Sequence, residues 1–282
     1  MEVVKEIDSV REIVGRERAA GRVVGLVPTM GFFHDGHLEL MRRARAECDV
    51  VVVTLFVNPT QFGPAEDYDA YPRDFERDSA LAEAVGVDYL FSPGVEQMYP
   101  EGFQTSVSVA EISKVMCGAG RPGHFDGVAT VVAKLFNTIP AHKAYFGQKD
   151  AQQLLIIKRM AKDLDFPMEI VTVPTVREED GLAMSSRNCY LSPKERIAAT
   201  ALYRSLEAAA SLIETGEKSA GVVREEMEKV ISTEPLVNLE YIAICDNIHL
   251  KPLSELSGDV LVALAARVGK ARLIDNTVFN LE

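Results

Sequence analysis

The stretch Val23-Val24-Gly25-Leu26-Val27-Pro28-Thr29-Met30-Gly31-Phe32-Phe33-His34-Asp35-Gly36-His37 decides the fold. Residues 23–27 form an apolar run of strand length, and residues 38–46 carry amphipathic helical spacing. Between them lies a glycine-punctuated turn that holds two histidines. A strand whose turn opens a helix is the repeating unit of an open α/β sheet, and such sheets bind ligands at their carboxyl edge. Backbone N–H groups and the helix dipole there favour an anion. His34 and His37 add hydrogen-bond donors whose charge switches near neutral pH. The turn reads as a nucleotide triphosphate site that does chemistry. It is neither the dinucleotide fingerprint nor a P-loop, so histidines and more distant basic groups would have to hold the phosphates. The competing reading is a plain connection with packed or solvated imidazoles.

The alternation continues outward from this unit. Residues 50–56 are an apolar run interrupted only by Thr54, fit for a central parallel strand buried on both faces. Residues 73–85 read as a helix and 87–91 as the next strand. A helix over 127–139, a short strand over 144–146, a helix over 151–164 and a strand over 170–173 follow. This pattern implies an α/β fold, a parallel sheet with helices on both faces. At the start of the chain, Val3, Ile7, Val10 and Val14 are spaced as one helix face. After about Thr175 the character changes. Ser192-Pro193-Lys194-Glu195 carries three agreeing helix-start signals, and the helix should run to about Thr215. A second helix is expected over 219–232, then β-like runs over 239–244, 260–267 and 271–278. Helices followed by consecutive strands suggest a small α+β domain on an antiparallel sheet. The expected domains are 1–176 and 177–282.

Composition narrows the function classes. The 282 residues suit one large domain, or one with a smaller companion, and an apolar fraction of 47% is ample for a core. No apolar run approaches bilayer length, so no membrane association is expected. Residues 1–22 mix acids with arginines, unlike a secretory or transit segment, and a cytoplasmic address is expected. The net charge of −12 argues against a nucleic-acid partner, which needs a basic face. The same acidity makes Arg and Lys beside glycine turns informative. Cys48, Cys117, Cys189 and Cys245 are scattered, with no Cys-x-x-Cys pair and no histidine at zinc spacing. They read as reduced, mostly buried thiols. No side-chain metal site is expected.

Four further constellations carry chemistry. Asn58-Pro59-Thr60-Gln61-Phe62-Gly63 leaves the central strand on the edge of the histidine turn, and Gln61 offers both donor and acceptor to a small polar substrate. In the mixed-charge run that follows, Asp78 is a candidate to approach Mg²⁺ through a water. Gly120-Arg121-Pro122-Gly123-His124-Phe125-Asp126-Gly127 reads equally as a mobile loop closing on an anion or as a helix-capping loop with Asp126 as the cap. In Phe146-Gly147-Gln148-Lys149-Asp150-Ala151-Gln152-Gln153, Gly147 permits close backbone approach and Lys149 supplies a point charge for phosphate. Asp150 and Gln153 also have the spacing of a capping-box variant. Finally, residues 175–188 include Met184-Ser185-Ser186-Arg187-Asn188, two hydroxyls and a cation suited to phosphate oxygens, with a hinge expected near Glu179-Asp180-Gly181.

Taken together and in this order, these blocks resemble the pantothenate synthetase (pantoate–β-alanine ligase) family. The match is most specific at Pro28-Thr29-Met30-Gly31 with His34-x-Gly36-His37 and continues at Asn58-Pro59-x-Gln61-Phe62, Gly123-His124-Phe125-Asp126-Gly127, Phe146-Gly147-x-Lys149-Asp150 and Met184 to Asn188. His-x-Gly-His alone marks only the wider nucleotidylyltransferase superfamily. The resemblance implies a Rossmann-like domain with a smaller C-terminal lid domain, usually dimeric. It implies ATP-dependent condensation of (R)-pantoate with β-alanine through a pantoyl adenylate, releasing pyrophosphate and AMP. Carried over residue by residue, Met30, Gly31, Phe32, Phe33, His34, Asp35, Gly36, His37, Gly147, Gln148, Lys149, Asp150, Val176, Met184, Ser185, Ser186 and Arg187 contact ATP. Gln61 and Gln153 hold pantoate, and Gln61 also lies near β-alanine. His37 is the catalytic histidine, with His34, Lys149, Arg187 and ATP-borne Mg²⁺ neutralising the developing charge. Where some relatives have consecutive aspartates, this chain has Glu76-Arg77-Asp78, which argues against a direct metal role for Asp78. The alternatives are a nucleotidylyltransferase of the same superfamily and a non-catalytic ATP sensor.

Overall fold

The structure is a computed structural model that describes residues 1–64 and 66–281. The chain divides into two units. The first comprises Met1–Lys114, Gly118–Gln148 and Gln152–Pro174. The second takes Val115–Cys117, Lys149–Ala151 and the chain from Thr175 onward.

In chain order up to Val173 the elements are β1 (Glu2–Val4), α1 (Ile7–Ala19), β2 (Val24–Thr29), α2 (Asp35–Glu47), β3 (Val50–Leu55), α3 (Phe75–Ala84), β4 (Tyr89–Phe91), α4 (Val95–Met98), α5 (Cys117–Gly120), α6 (His124–Thr138), β5 (Lys143–Gly147), α7 (Ala151–Asp163) and β6 (Glu169–Val173). The six strands form one sheet in the order β1-β4-β3-β2-β5-β6, every pair parallel. The chain winds from β2 outward through β3 and β4, then returns to lay β5 on the other flank of β2. The order therefore reverses between β2 and β5, where open α/β sheets bind ligands at their carboxyl ends.

Valines make β3 a central strand, with Val50 to Thr54 all buried. Helix α2 covers one face, setting Leu38, Met41 and Ala44 among Val27, Val51, Val53 and Tyr145. Each of the buried Leu, Met and Val side chains contributes roughly 1.5–3 kcal/mol. Gly25 is needed for close packing: a Cβ there would come within 2.8 Å of Cys48 Sγ. One expected feature differs. The sequence spaces Val3 with Ile7, Val10 and Val14 on one helix face, but Glu2–Val4 pairs in parallel with β4 as an edge strand. A three-residue strand is too short to show its period beside a helical one.

The second unit holds α8 (Pro193–Ala199), α9 (Ala201–Glu214), α10 (Ala220–Ser232), β7 (Val237–Asp246), β8 (Gly258–Val268) and β9 (Ala271–Leu281). Its three strands form an antiparallel sheet, β7-β8-β9. Leu202, Leu206, Val223 and Met227 of the helices share a core with Val260, Val262, Leu264 and Ala266 of β8. The expected capping box is present, with Ser192 N donating to Glu195 Oε2 at 2.8 Å and Glu195 N to Ser192 Oγ at 3.4 Å. The helix predicted to run on to Thr215 is instead broken at Thr200. Both Thr200 Oγ1 (2.7 Å) and Thr200 N (3.2 Å) donate to the Ile197 carbonyl, which tightens the turn. Among the described residues no helix is long and apolar enough to cross a membrane. None of the four cysteines is in a disulfide; Cys48, Cys117 and Cys245 are buried, whereas Cys189 is exposed.

Candidate active site

The histidine turn leaves β2 at Thr29 and enters α2 at Asp35. Its backbone is unusual: Gly31 (φ 86°) and Phe32 (φ 52°) both adopt left-handed conformations. Consecutive N–H groups then point the same way and form an anion-binding concavity. The occupant is internal. Asp78, from α3, is 1% exposed and accepts from Phe32 N at 2.5 Å and Phe33 N at 2.7 Å. Arg77 donates to the Phe33 carbonyl at 2.8 Å, and its guanidinium lies 5.2 Å from the centre of the Phe32 ring. Thr29 Oγ1 ties the turn to β3 through the Thr54 carbonyl and also accepts from Gly31 N. Burial raises the Asp78 pKa, with the Phe33 and Phe32 N–H groups opposing. Asp78 is thus the turn's anchor. Both its oxygens are spent on backbone N–H groups, which argues against the water-mediated metal role weighed from the sequence.

The turn fixes the imidazoles. The His34 carbonyl accepts from His37 N (2.8 Å) and Leu38 N (3.1 Å), starting α2. His34 N in turn points at His37 Nδ1, 3.4 Å away. An Nδ1 that accepts has no proton, so neutral His37 carries its proton on Nε2. The two rings lie 4.1 Å apart, centre to centre, and Phe33 packs 5.6 Å from His37. Met30, Phe32, His34, Gly36 and His37 are half-buried, while Asp35 is exposed.

Gln61 lies on a short 3₁₀ turn, Pro59–Gln61, after β3. It is 8% exposed. Its Oε1 accepts from Asn58 Nδ2 at 3.1 Å, and its Nε2 faces Met30 Sδ at 3.0 Å. A thioether is a weak acceptor, so a ligand oxygen competes well for that donor. Asn58, fully buried, is the hub the sequence did not single out. Its Oδ1 accepts from Tyr99 OH (2.7 Å) and Thr60, and its Nδ2 also donates to the Gly127 carbonyl (3.1 Å). Helix α6 presses on the same turn at Gly127, where a Cβ would overlap Thr60 O.

The two remaining glycine segments part company. At Gly147, on the end of β5, an added Cβ would meet nothing within 4 Å. The fold does not require glycine there, which favours close approach by a ligand. The loop before α6 is tied down instead. Arg121 pairs with Glu66, and His124 Nδ1 lies 2.8 Å from the Gln61 carbonyl. Asp126 is not the cap; Gly123 (φ 81°) precedes the helix and Asp126 sits inside its first turn. Gln153 is half-buried on α7, whose neighbouring Gln152 is buried and donates to the Ile112 carbonyl at 2.8 Å.

The second unit holds the other expected residues. Lys149 Nζ lies 3.9 Å from Asp150 Oδ2. Lys149, Ala183, Ser185 and Asp275 line one small cavity with Leu182, Leu202, Leu273 and Ile274. Asn276 of β9 donates to the Lys149 carbonyl at 2.9 Å. Asp275, 2% exposed, takes two hydrogen bonds from Arg177, at 2.6 and 3.0 Å. Val176 O accepts from Met184 N at 3.0 Å, so residues 176–184 form a hairpin. The predicted hinge, Glu179-Asp180-Gly181, is the tip of that hairpin and lies inside the second unit. Arg196 grips it through Glu178 (2.6 Å) and Asp180 (2.8 Å), and Gly181 (φ 89°) abuts the Tyr203 ring. Ser185 caps the following 3₁₀ turn, Ser186–Tyr190, by accepting from Arg187 N at 3.2 Å; Ser186 is buried. Among the described residues no three His, Cys, Asp or Glu side chains gather to hold a metal.

A parallel sheet that brings two ordered imidazoles, a buried amide and an open glycine to one carboxyl edge defines a nucleotide-binding α/β enzyme. The chain belongs to the pantoate-β-alanine ligase family, whose model matches residues 2–278. It is 55% identical over 281 residues to the pantothenate synthetase of Moorella thermoacetica, covering all of this chain and 99% of that one. The crystal structure of pantothenate synthetase from Thermus thermophilus matches with a TM-score of 0.94 and 50% identity, over 98% and 99% of the two chains. That of pantoate-β-alanine ligase from Francisella tularensis, complexed with β,γ-ATP and β-alanine, matches with a TM-score of 0.79 and 32% identity, over 99% and 97%.

Proposed function

We propose that this ligase joins (R)-pantoate to β-alanine in two half-reactions. A pantoate carboxylate oxygen attacks the α-phosphorus of ATP, and the bond to the β-phosphate breaks to release pyrophosphate. The amine of β-alanine then attacks the acyl carbon of the pantoyl adenylate. AMP leaves, the nitrogen loses a proton, and pantothenate is formed.

In this reading the residues that contact ATP are Met30, Gly31, Phe32, Phe33, His34, Asp35, Gly36, His37, Gly147, Gln148, Lys149, Asp150, Val176, Met184, Ser185, Ser186 and Arg187. Gln61 and Gln153 bind pantoate, with Gln61 also beside β-alanine. His37 donates from Nε2 to phosphoryl oxygen, and His34, Lys149 and Arg187 offset the charge that develops on the leaving group. The observation that carries this is the His34 N contact with His37 Nδ1, which leaves the Nε2 proton as donor. Mg²⁺, when bound, would neutralise phosphate charge. With both Asp78 oxygens engaged, the donor set fits a metal carried mainly by the ATP phosphates. A cytoplasmic homodimer completes the reading.

The test is exchange of labelled pyrophosphate into ATP, which should require pantoate and no β-alanine. AMP release should then require β-alanine. A nucleotidylyltransferase would keep the nucleotide in its product, and a sensor would show no exchange; family membership favours neither. Exchange that is indifferent to pantoate would refute the proposal.

A further inference from the structure

A chain of hydrogen bonds beside Gln61 takes no part in the chemistry above. Arg121 Nη1 lies 2.9 Å from His124 Nε2, and His124 Nδ1 lies 2.8 Å from the Gln61 carbonyl. A guanidinium has donors only, so Nε2 must accept. The ring proton is then on Nδ1, donating to Gln61 O. One species satisfies both contacts: neutral His124 with its proton on Nδ1. Arg121 is itself oriented by Glu66, through Nε at 2.7 Å and a second contact from Nη2, which also reaches Gln61 O at 3.4 Å. That pairing is the main reason the Glu66 carboxyl titrates below its ordinary range. Glu66 and Arg121 are charged groups beside this imidazole, with the Phe125 ring 4.7 Å away. Behind them, a Cβ on Gly127 would come within 2.7 Å of Gln61 N. Gln61 is thus pinned by its backbone from one side and by Asn58 and Met30 from the other.

We propose that Arg121 and His124 are positioning residues that hold Gln61 in the orientation that receives pantoate, and that protonation of His124 releases it. The proposal rests on the reading of Gln61 as a pantoate ligand. Protonated His124 would set an N–H against the guanidinium N–H groups and a cation beside a cation. The link to Arg121 then fails, and Glu66 offsets only part of the charge.

The experiment is steady-state kinetics on the full chain, varying pantoate and ATP separately from about pH 5.5 to 8, the range in which imidazoles titrate. The variants are His124→Ala, His124→Asn and Gln61→Ala. An asparagine amide places an N–H near the position of Nδ1–H and does not titrate. His124→Ala should raise the pantoate KM about tenfold, the scale of one lost hydrogen bond to a buried group, and move the ATP KM less than about twofold. His124→Asn should recover most of the loss and abolish the rise in pantoate KM at acid pH. A normal pantoate KM in folded His124→Ala overturns the proposal, as does an acid rise in His124→Asn equal to that of the unmodified chain. If His124→Ala does not fold, the pH comparison decides. If Gln61→Ala leaves the pantoate KM unchanged, the reading of Gln61 fails and takes the relay with it. If Gln61→Ala impairs pantoate and His124→Ala does not, the relay alone fails.

Discussion

Two loops carry most of the residues assigned to ATP, and they are held by opposite means. The loop of residues 30–37 has its anchor inside: the buried Asp78 carboxylate collects two N–H groups from a left-handed backbone. The hairpin of residues 176–184 has its anchor at the surface, where Arg196 bridges Glu178 and Asp180. Desolvation opposes the first carboxylate and its backbone partners support it. A guanidinium supports the second, in partial contact with water. A buried anchor gives rigidity that salt and pH near neutrality barely touch, whereas an exposed ion pair is screened. The stiff loop carries the imidazoles, whose placement sets the chemistry.

The largest effect should come from the group that the stiff loop exists to place. His37→Ala should keep the fold, because α2 retains the His34 carbonyl bonds to residue 37 N and Leu38 N. Pyrophosphate exchange should fall by roughly 10²–10³-fold, the usual loss on removing one donor to developing charge. An exchange rate near that of the unmodified chain would show that the loop's rigidity serves something other than His37.

Asp78→Asn comes next. An amide can accept one of the two N–H groups and turns its own N–H₂ toward the other. The expected cost is about 1–3 kcal/mol of stability, measured by urea unfolding, with exchange slowed about tenfold through loop displacement. The pH dependence sharpens the contrast. The Asp78 pKa is raised in the fold, first by burial. The proton-linked part of its contribution is therefore fullest below the ordinary value of 3.8 and is lost as pH rises through the folded value, while the two backbone hydrogen bonds remain. Asp180 is shifted the other way, first by its hydrogen bond from Arg196. Its contribution is present above 3.8 and is lost as pH falls through the lowered value. Acid unfolding of Asp78→Asn and Asp180→Asn should accordingly diverge from the unmodified chain with opposite slopes. Parallel slopes would mean that the two anchors are the same in kind.

The sequence exposes what repeats and what punctuates. Apolar patterning alone yields the parallel sheet and the antiparallel one, because residues 50–53 and 260–266 are apolar runs. The capping box at Ser192 is legible because its partners are three residues apart. Distant partners are not. Nothing near Asp78 in the sequence shows that it folds back on Phe32 and Phe33, 46 and 45 positions away. The acidic run around it points toward a metal instead. Asn58 looks like turn punctuation because its partners Tyr99 and Gly127 are remote. The glycine-rich segment before α6 looks mobile because Glu66, which fixes Arg121, lies 55 residues earlier. The histidine motif marks the site, but the tautomer of His37 follows only from its contact with His34 N.

The smallest effect tests the surface anchor. Arg196→Ala removes two ion pairs whose carboxylates are about a third (Glu178) to a half (Asp180) exposed. Pairs of this kind contribute about 0–1 kcal/mol, so the melting temperature should drop by no more than a few degrees. Raising ionic strength from about 0.05 to 0.5 M shortens the screening length several-fold and should narrow that gap. The same change should leave the Asp78→Asn gap in place, because its hydrogen bonds are buried and short. The KM for ATP should rise modestly in Arg196→Ala, if the hairpin it grips presents Met184 to Arg187 to the nucleotide. A salt-sensitive Asp78 gap, or an Arg196 gap that salt does not narrow, would erase the distinction between an internal and an external anchor.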